Sequence, residues 1–469
     1  MVKRANISPA DVERQREIAE EICSLHQNRH KQPLALVDTY GCQQNEADSE
    51  IIRGYLVEMG YALTDSEHEA DVILINTCAV REHAENRVWG NVGALVHTKR
   101  EKPDQIIAVC GCMAGQEHVV EKLRKSFPHV DLVFDPHALW RLPEMIKQLL
   151  SERGRMFMQS EGEGAIAENL PQVRIEGPSA WLSVMYGCNN FCTYCIVPHV
   201  RGRERSRTPE HILNDVYRLL ADGVKDITLL GQNVNSYGKD LDETIDFADL
   251  LEQINAVPGE FLIRFATSHP KDADERLFAA MAKAEKVAKH IHLPFQAGNS
   301  RVLQSMNRGY TKEEYIERIA MARHYMPDLV VTGDVIVGFP GETEKEFQDT
   351  LDLMRRVEFD ALYTFIYSPR KGTPAADMED IIPRSEKQVW FDSLCALQNE
   401  ISTKKHKEYV GTVQYALIDK AEEAPNTLVA RTNGGRLIRL SGDASLIGQF
   451  KQIEITDAST WSLIGQLVK

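Results

Sequence analysis

Short apolar runs alternate with helical stretches along most of the chain, and this alternation limits the fold more than any other feature. Strands that are separated by helices must be joined by crossovers, which favours parallel sheets with helices packed on them. The pattern therefore predicts an α/β protein that begins with a doubly wound parallel domain over residues 34–150. Its strands are predicted at residues 34–39, 71–75, 105–110 and 130–134.

A second, longer alternation follows residues 151–176, which are rich in Glu, Gly and Ser and are predicted to form a linker. Helical stretches such as 209–221, 344–357 and 384–407 separate the apolar runs of this part. As in other sheets of parallel strands, ligands are expected beyond the carboxyl ends of the strands. Strands are predicted at residues 181–185, 226–230, 262–267, 289–293, 329–337 and 361–367.

The two ends of the chain differ from this pattern. Residues 1–33 are predicted to form a helical extension, with Ser8 as N-cap and Pro9 at the first helical position. Near the carboxyl terminus, Asn433-Gly434-Gly435 is a strong hairpin signal. Short strands at 412–418, 427–432, 436–440, 452–456 and 462–468 predict a small antiparallel β-barrel over residues 406–469, a shape often used to hold single-stranded nucleic acid.

Three cysteines, Cys188, Cys192 and Cys195, lie within eight residues, and we call them the loop trio. Cysteine thiolates hold iron-sulfur clusters, and a cubane 4Fe-4S cluster normally takes four of them, so this trio leaves one iron open to another ligand. The spacing would also place the cysteines on one stripe of a buried helix, but the intervening Gly and Asn residues are poor helix formers. A four-cysteine zinc site would need a second CxxC nearby.

Three further cysteines follow predicted strands of the first domain: Cys42 the first strand, Cys78 the second and Cys112 the third. We call them the sheet trio. Because the carboxyl ends of parallel strands meet at one edge, these thiols should converge and hold a second 4Fe-4S cluster. Cys110 competes with Cys112 for the third place. Cys112 is favoured because it follows a glycine that can turn the chain out of the strand.

Charge and composition restrict the classes of partner. The chain has 54 Lys and Arg against 69 Asp and Glu, a net charge of -15, which argues against nonspecific coating of nucleic acid. An RNA partner must meet local basic patches, and Arg201, Arg203, Arg205 and Arg207 alternate directly after the loop trio. No signal-peptide pattern and no membrane-length apolar run is present, so we expect a cytoplasmic protein without membrane contact, where grouped cysteines more often bind metal.

The loop that contains the loop trio resembles the signature of the radical-SAM superfamily, in which S-adenosylmethionine (SAM) binds the open iron of the cluster. This resemblance implies a partial (β/α)6 barrel for residues 177–405, with function at the strand ends. It also implies that SAM is bound by Tyr194, Gly231, Gln232, Asn233, Thr267, Ser268, Gln296 and Gly338. The four arginines after the loop trio could contact either SAM or the phosphates of an RNA.

The two cysteine trios and the terminal barrel together resemble the methylthiotransferase family over residues 34–469. The terminal barrel is similar to the TRAM domain of RNA-modifying enzymes, which implies that Arg431, Arg436 and Arg439 hold RNA. Three stretches, 187–207, 231–238 and 306–311, resemble the MiaB-type branch of the family. That branch methylthiolates carbon 2 of N(6)-dimethylallyladenosine at position 37 of tRNA, next to the anticodon. The chain departs from the usual family pattern at His199, Phe295 and residues 297–299.

The resemblance implies a radical reaction with two 4Fe-4S clusters and SAM as cofactors. General acid-base catalysis cannot remove the hydrogen on carbon 2 of an adenine, whereas a radical can. The cluster on the loop trio would cleave SAM to a 5′-deoxyadenosyl radical, and the cluster on the sheet trio would hold or be the sulfur donor. A second SAM would supply the methyl group. The target base would enter unstacked from the anticodon stem-loop.

Other functions remain open at this point. Methylthiotransferases that act on threonylcarbamoyladenosine in tRNA or on a ribosomal-protein aspartate share all six cysteines, although Asn189-Asn190 and His292-Leu293-Pro294 favour the MiaB-type branch. A two-cluster electron-transfer protein would explain the cysteines but would not need either barrel. The family implies tRNA and an electron donor such as flavodoxin or ferredoxin as partners, and we expect a monomer.

Overall fold

The computed structural model describes residues 6–28, 30–80, 82–152, 154–160 and 164–468. The strands are β1 (Leu34–Thr39), β2 (Ala62–Leu63), β3 (Val72–Thr77), β4 (Ile106–Gly111), β5 (Leu132–Phe134), β6 (Met156–Met158), β7 (Ser179–Ser183), β8 (Met185–Tyr186), β9 (Arg205–Ser206), β10 (Asp226–Leu230), β11 (Leu262–Phe265), β12 (His290–His292), β13 (Val330–Val337), β14 (Ala361–Ile366), β15 (Val413–Ala421), β16 (Thr427–Thr432), β17 (Leu437–Ser441), β18 (Phe450–Ala458) and β19 (Leu463–Leu467).

The α-helices are α1 (Pro9–Gln27), α2 (Gln43–Glu58), α3 (Glu82–Ala94), α4 (Val96–Glu101), α5 (Glu117–Ser126), α6 (Leu142–Ser151), α7 (Val197–Arg201), α8 (Pro209–Ala221), α9 (Phe247–Asn255), α10 (Glu275–Lys283), α11 (Ser300–Ser305), α12 (Lys312–Tyr325), α13 (Glu344–Val357) and α14 (Arg384–Lys407). Short 3₁₀ helices cover Cys112–Gly115, Pro136–Arg141, Val234–Ser236, Pro270–Asp272, Pro374–Asp377 and Ala444–Leu446. None of the helices in the described ranges has the length and apolar character that crossing a membrane requires.

The described residues form two compact units. The first contains the chain up to Ile175 together with Met185–Asn189 and Cys195–Arg207, and the second contains the rest. The predicted α/β fold class is confirmed, because a parallel sheet, a partial barrel and a closed terminal barrel follow one another along the chain.

The sheet of the first unit has the strand order β2-β1-β3-β4-β5-β6, and every pairing in it is parallel. Successive side chains of a strand point to opposite faces, so each strand feeds two cores. In β4, Ala108 and Cys110 join the core on one face, while Ile107 and Val109 join the core on the other. Because both faces of these strands are buried, their sequences are continuous apolar runs and do not alternate between apolar and polar residues.

Helix α1, whose role the sequence did not indicate, packs into the first of these cores through Ile18, Ala19 and Ile22. Its start agrees with the predicted cap, since the Ser8 side chain accepts a hydrogen bond from the Asp11 amide. Helix α1 is therefore an integral part of the first unit.

Residues 151–176 were predicted to be a linker, and this prediction is wrong for Met156–Met158, which forms strand β6 beside β5. Arg155 helps to fix this edge, because its guanidinium donates hydrogen bonds to the carbonyls of Val130 and Arg124. A three-residue strand contains too few residues to show a period, so the sequence pattern did not reveal it. Residues 153 and 161–163 of this stretch lie outside the described residues.

In the second unit, the sheet β7-β10-β11 and the sheet β12-β13-β14 contain the strands predicted for the partial barrel, all in parallel pairs. A parallel bridge between Ile263 and Val287 connects the two sheets just before β12. Helices α9, α12 and α13 each begin with a capping box, which fixes where the preceding loop ends. The loops that lead into these three helices therefore end at defined residues.

The terminal barrel is closed in the order β15-β16-β17-β19-β18. The sequence predicted an antiparallel barrel, and this is wrong for one pair, because β17 and β19 run parallel. Gly465 of β19 lies close to the neighbouring strand β18, since an added Cβ would lie 2.6 Å from the Ile453 side chain. The missing side chain therefore lets β19 pack tightly in the barrel. At the predicted hairpin, Gly435 has a φ of +83°, and Arg264 donates hydrogen bonds to the Thr432 and Asn433 carbonyls.

Candidate iron-sulfur and cofactor sites

The sheet trio lies at one edge of the first sheet. Cys42 is the N-cap residue of α2, separated from the end of β1 by Tyr40 and Gly41. Cys78 directly follows β3, and Cys112 opens the 3₁₀ helix after β4. Since β3 lies between β1 and β4, the three strand ends are neighbours. Cys42 and Cys78 are both near enough to Cys112 to act on its ionisation. The structure therefore brings together the three thiols that the sequence placed at separate strand ends.

Two glycines allow the chain to pass closely through this edge. Gly111 has a φ of +89°, and a Cβ there would lie 2.3 Å from Asn76 Oδ1. Gly41, with a φ of +139°, would place a Cβ 2.6 Å from the Cβ of Cys78. Both positions require glycine because of their conformation and because of the space around them.

Cys110 and Cys112 differ in what surrounds them. Cys110 packs in the core on one face of the sheet, whereas Cys112 belongs to the core on the other face. That second core also contains Tyr40 and Ala79, which are close in sequence to Cys42 and Cys78. The glycine between Cys110 and Cys112 turns the chain, so Cys112 leaves the line of the strand. This arrangement supports the choice of Cys112 as the third thiol.

Hydrogen-bond donors surround the sheet trio. The Val80 amide lies 3.3 Å from Cys78 Sγ, and Arg201 Nε lies 3.2 Å from Cys112 Sγ. Burial raises the pKa of the Cys112 thiol to about 12, and the adjacent Arg201 guanidinium opposes this rise. A buried thiol of this kind ionises when a metal supplies compensating positive charge.

These donors and thiols fit a cubane cluster. In a cubane each cysteine binds a different iron, so the sulfurs are spread more widely than around one ion. In the described ranges, no group of three His, Cys, Asp or Glu residues is arranged to hold a metal ion.

The loop trio lies in non-helical chain between β8 and α7, which excludes the interpretation as a stripe on a buried helix. Phe191, in the middle of the loop, has a φ of +45°. The Thr193 amide donates to the Met306 carbonyl at 3.1 Å, and Asn307 Nδ2 donates to the Phe191 carbonyl at 3.0 Å. The loop is therefore held in an extended, partly strained path rather than in regular structure.

Arg308 provides a donor for this trio. Its Nη1 lies 3.4 Å from Cys192 Sγ, and its guanidinium is buried. Hydrogen bonds to sulfur stabilise the thiolate form that binds iron. The chemistry of the donors at Cys192 thus also fits an iron-sulfur cluster.

The residues predicted to contact SAM lie at the carboxyl ends of the barrel strands. Thr267 and Gln296 have φ values of +71° and +66°, which are costly for residues with a Cβ and are concentrated at functional sites. The Ser268 hydroxyl is buried and makes no hydrogen bond to the described residues. A polar group left in this state is suited to receive a ligand.

The remaining predicted SAM contacts lie in the same unit. Gly231 directly follows β10 and is buried, and Gln232 and Tyr194 are partly exposed. Asn233 donates from Nδ2 to Asp272 at 2.9 Å. Gly338 follows β13 with a φ of +71°, and a Cβ there would lie 2.6 Å from the Lys387 side chain.

Glu342 supports the Gly338 turn and was not selected as a site residue from the sequence. Its Oε2 accepts hydrogen bonds from the amides of Gly338 at 2.7 Å and Phe339 at 3.2 Å. Burial raises the pKa of Glu342 to about 7, although these amides oppose the rise. The signal that could have revealed it is a charged residue inside a run of Gly, Phe and Pro after a buried strand.

Known proteins resemble this chain over its whole length. Residues 182–354 match the model of the radical SAM superfamily, residues 35–135 match uncharacterized protein family UPF0004, and residues 407–468 match the TRAM domain. The tRNA-2-methylthio-N(6)-dimethylallyladenosine synthase of Acetivibrio thermocellus is 47% identical over 472 residues, covering 100% of this chain and 98% of that protein. The chain belongs to this synthase family. The corresponding synthase of Alkaliphilus oremlandii is 46% identical over all of both proteins.

Solved structures show the same fold at low sequence identity. The radical S-adenosylmethionine methyltransferase TsrM from Kitasatospora setae aligns with a TM-score of 0.55 and 15% identity, over 74% of this chain and 77% of that protein. The cobalamin-dependent radical enzyme OxsB aligns with a TM-score of 0.51 and 15% identity, over 80% and 56%. As a member of the synthase family, the chain uses SAM and 4Fe-4S clusters as its cofactors.

Three of the four arginines after the loop trio are not surface residues in this synthase. Arg201 forms an ion pair with Asp48 at 2.7 Å, and Arg207 forms one with Glu168 at 2.6 Å, both buried. Arg205 is also buried and donates to the Arg203 carbonyl at 2.9 Å. Their burial contradicts the predicted RNA contacts. Arg203 itself is exposed and stays a candidate.

The arginines of the terminal barrel also differ from one another. Arg436 is buried against the Tyr409 ring and forms an ion pair with Asp360, which contradicts its predicted role at the RNA. The Arg431 side chain is 37% exposed and lies 3.7 Å from Asp419. Arg439 is 51% exposed. Arg431 and Arg439 are therefore the two residues of this group that a phosphate can reach.

Proposed function

We propose that this chain is a radical-SAM methylthiotransferase that adds a methylthio group to carbon 2 of N(6)-dimethylallyladenosine at position 37 of tRNA. The observation that carries the proposal is the full-length similarity to synthases of that name, in a chain that has both cysteine trios at strand ends. We further propose that it acts as a monomer in the cytoplasm and receives electrons from a flavodoxin or ferredoxin.

We assign one 4Fe-4S cluster to the loop trio (Cys188, Cys192 and Cys195) and the other to the sheet trio (Cys42, Cys78 and Cys112). When bound, these clusters and SAM supply a 5′-deoxyadenosyl radical and the sulfur and methyl groups to be transferred. The residues around the sheet trio favour the thiolate forms that bind iron. Cys42 at the N-cap of α2 lies where the helix dipole favours a thiolate, and Arg201 and Val80 donate to the other two sulfurs.

The strand-end residues would hold SAM. Glu342 fixes the turn at Gly338 through two backbone hydrogen bonds, and the absence of a Cβ at Gly338 allows Lys387 and the turn to pack closely. Ser268 can supply a hydroxyl donor or acceptor, and the conformations of Thr267 and Gln296 direct their backbone groups. Burial holds the pKa of His269 far below its usual range, so the imidazole next to Ser268 stays neutral.

For RNA, we propose contacts from Arg203, Arg431 and Arg439, which are the exposed members of the predicted set. An adenosine beside an anticodon lies in a single-stranded loop, where the base edge is accessible after unstacking. Local cationic groups are required because the chain as a whole is acidic.

The proposal is tested by complementing a strain that lacks its own synthase and analysing tRNA nucleosides by mass spectrometry. The wild-type chain should restore the 2-methylthio form of N(6)-dimethylallyladenosine. A Cys192→Ser variant should leave N(6)-dimethylallyladenosine without the methylthio group. Restoration of methylthiolated threonylcarbamoyladenosine instead would overturn the substrate assignment. Anaerobic incubation of the reconstituted protein with SAM and dithionite should release 5′-deoxyadenosine, which an electron carrier would not.

A further inference from the structure

Each cysteine trio has one sulfur that accepts a hydrogen bond from a buried arginine. In the first unit, Arg201 Nε lies 3.2 Å from Cys112 Sγ. In the second unit, Arg308 Nη1 lies 3.4 Å from Cys192 Sγ. The two arginines are only 4% and 5% exposed. Their environments differ in a way that affects the two clusters unequally.

The charge of Arg201 is balanced. Its Nη2 lies 2.7 Å from Asp48 Oδ2, and Asp48 is itself only 6% exposed. The other carboxylate oxygen, Asp48 Oδ1, accepts a hydrogen bond from Gln44 at 3.1 Å. The arginine and the aspartate therefore form a buried pair with no net charge beside Cys112.

The charge of Arg308 is not balanced in this way. Besides Cys192, it donates to the Pro294 carbonyl at 2.7 Å and to the Tyr310 hydroxyl at 3.1 Å, and these partners are neutral. Among the described residues, its guanidinium has no Asp or Glu as an ion-pair or hydrogen-bond partner. A net positive charge is thus buried beside Cys192.

The reduction potential of an iron-sulfur cluster depends on nearby charge and on hydrogen bonds to its sulfurs. A buried cation stabilises the reduced cluster, which carries one more negative charge, and the low dielectric of the interior strengthens the effect. We propose that Arg308 is a positioning residue that raises the reduction potential of the cluster on the loop trio above that of the cluster on the sheet trio. This inference rests on the proposed function, which assigns a cluster to each trio.

The consequence concerns where an electron goes. A low-potential one-electron donor would supply one electron, and the loop trio beside Arg308 would hold the cluster that accepts it, with no bond made or broken. Two clusters of the same type would otherwise compete for that electron. The unbalanced cation directs the electron to the cluster that must receive it before SAM can be cleaved.

The test is an EPR-monitored titration of the full-length, anaerobically reconstituted protein with dithionite, with and without SAM. The signal that changes on addition of SAM belongs to the cluster on the loop trio. In R308Q we expect the ratio of reduced to oxidised cluster at a fixed potential to fall about tenfold, which corresponds to a midpoint lower by about 59 mV for a one-electron couple. The midpoint potential of the signal that does not respond to SAM should stay the same. R308K, which keeps the charge, should retain most of the wild-type midpoint.

Two further variants complete the design. R276Q removes an exposed arginine of α10 that pairs with Asp246 and Asp249, and it should leave both midpoints unchanged. D48N removes the partner of Arg201 and should raise the midpoint of the SAM-insensitive signal. Because D48N acts at the other trio, it tests the charge argument even if R308Q fails to bind iron.

Each result separates this inference from the proposed function. Unchanged midpoints in R308Q, or an equal shift of both signals, would overturn the role of Arg308. The argument from charge would be overturned if the midpoint of the SAM-insensitive signal did not change in D48N. It would also be overturned if the midpoint of the SAM-responsive signal fell as far in R308K as in R308Q. A wild-type protein without any SAM-responsive signal would instead contradict the proposed function.

Discussion

Single residues decide which of two cysteines can serve the cluster that we propose at the sheet edge. Cys110 and Cys112 are separated by one glycine, and only the second leaves the strand toward the other two thiols. The first fills a core position, where a small apolar side chain is sufficient. The choice between them thus depends on a single turn at Gly111.

This difference gives a paired prediction. Cys112→Ser should lose about half of the bound iron after reconstitution, because one of two cubane clusters lacks a ligand. Cys110→Ser should keep its iron and lose only stability, since a hydroxyl replaces a buried thiol in the core. Iron and sulfide analysis of both variants is the measurement. Equal iron loss in the two variants would mean that Cys110 is also a ligand.

Glu342 should make stability depend on pH. Burial raises its pKa to about 7 in the folded chain, above the usual value of 4.5, so the folded state binds the proton more tightly than the unfolded state. Its contribution is therefore fully present below pH 4.5 and is lost as the pH rises through 7. In Glu342→Gln this loss should disappear, and the melting temperature should fall less between pH 5 and pH 8 than in the wild type. Parallel melting profiles would contradict the raised pKa.

At the scale of elements, the sequence was most informative where local chemistry marks an end. Helices α8, α13 and α14 begin and end where they were predicted, because Pro209, the Thr343 capping box and Pro383 fix their starts. Strands β2 and β6 were missed because two or three residues show no period. The parallel pairing of β17 with β19 depends on partners that no local signal identifies.

The same reasoning applies to the candidate sites. The cysteines were recognisable from spacing and from their position after strands, whereas the burial of Arg201, Arg205, Arg207 and Arg436 was not. Alternating arginines resemble a solvated basic patch in sequence. Their partners, such as Asp48 and Glu168, are distant in the chain and become visible only in the folded structure.

The turn between β4 and the following 3₁₀ helix provides a prediction at this scale. Gly111→Ala places a Cβ 2.3 Å from Asn76 Oδ1 and 2.5 Å from the Thr77 carbonyl, at a φ of +89°. A loss of roughly 1–3 kcal/mol in the free energy of unfolding is expected from the backbone conformation alone. Gly90→Ala in α3, where an added Cβ meets no atom within 4 Å, should instead stabilise by about 0.5–1 kcal/mol. Thermal unfolding of both variants, together with iron content, measures the difference.

At the scale of the whole molecule, a net charge of -15 must be reconciled with binding to tRNA. Arg431 and Arg439 lie on the terminal barrel with side chains that are 37% and 51% exposed, although each faces a carboxylate. Four of the seven predicted arginines are instead buried: Arg201, Arg205, Arg207 and Arg436. RNA affinity should therefore depend on a few contacts and not on the overall field.

Replacing both exposed arginines should show this directly. R431A/R439A should weaken tRNA binding and reduce the slope of log affinity against log salt by roughly 1.4–1.8, the sum for two phosphate contacts. R276A removes an arginine of α10 that is 57% exposed, more than either of these two, and should leave the slope unchanged. Binding titrations at several salt concentrations provide the measurement. A slope that is equal in the double variant and the wild type would exclude these arginines from the RNA contact.

Arg436 should respond differently from its two neighbours. R436A leaves Asp360 buried, and among the described residues Lys405, 3.4 Å away, is then its remaining cationic partner. Removing one member of a buried ion pair costs on the order of 3 kcal/mol, so the melting temperature should fall while the salt slope of the folded protein stays the same. A changed slope without lost stability would restore Arg436 to the RNA contact.

The position of β19 between β17 and β18 also sets the order in which the terminal barrel can be completed during translation. Every other strand of the barrel leaves the ribosome earlier, so the nascent chain exposes two open strand edges until Leu463–Leu467 emerges. The surface that carries Arg431 and Arg439 is thus finished after the rest of the described fold has been synthesised. A proteolytic cut before β19 would reopen both edges and favour aggregation.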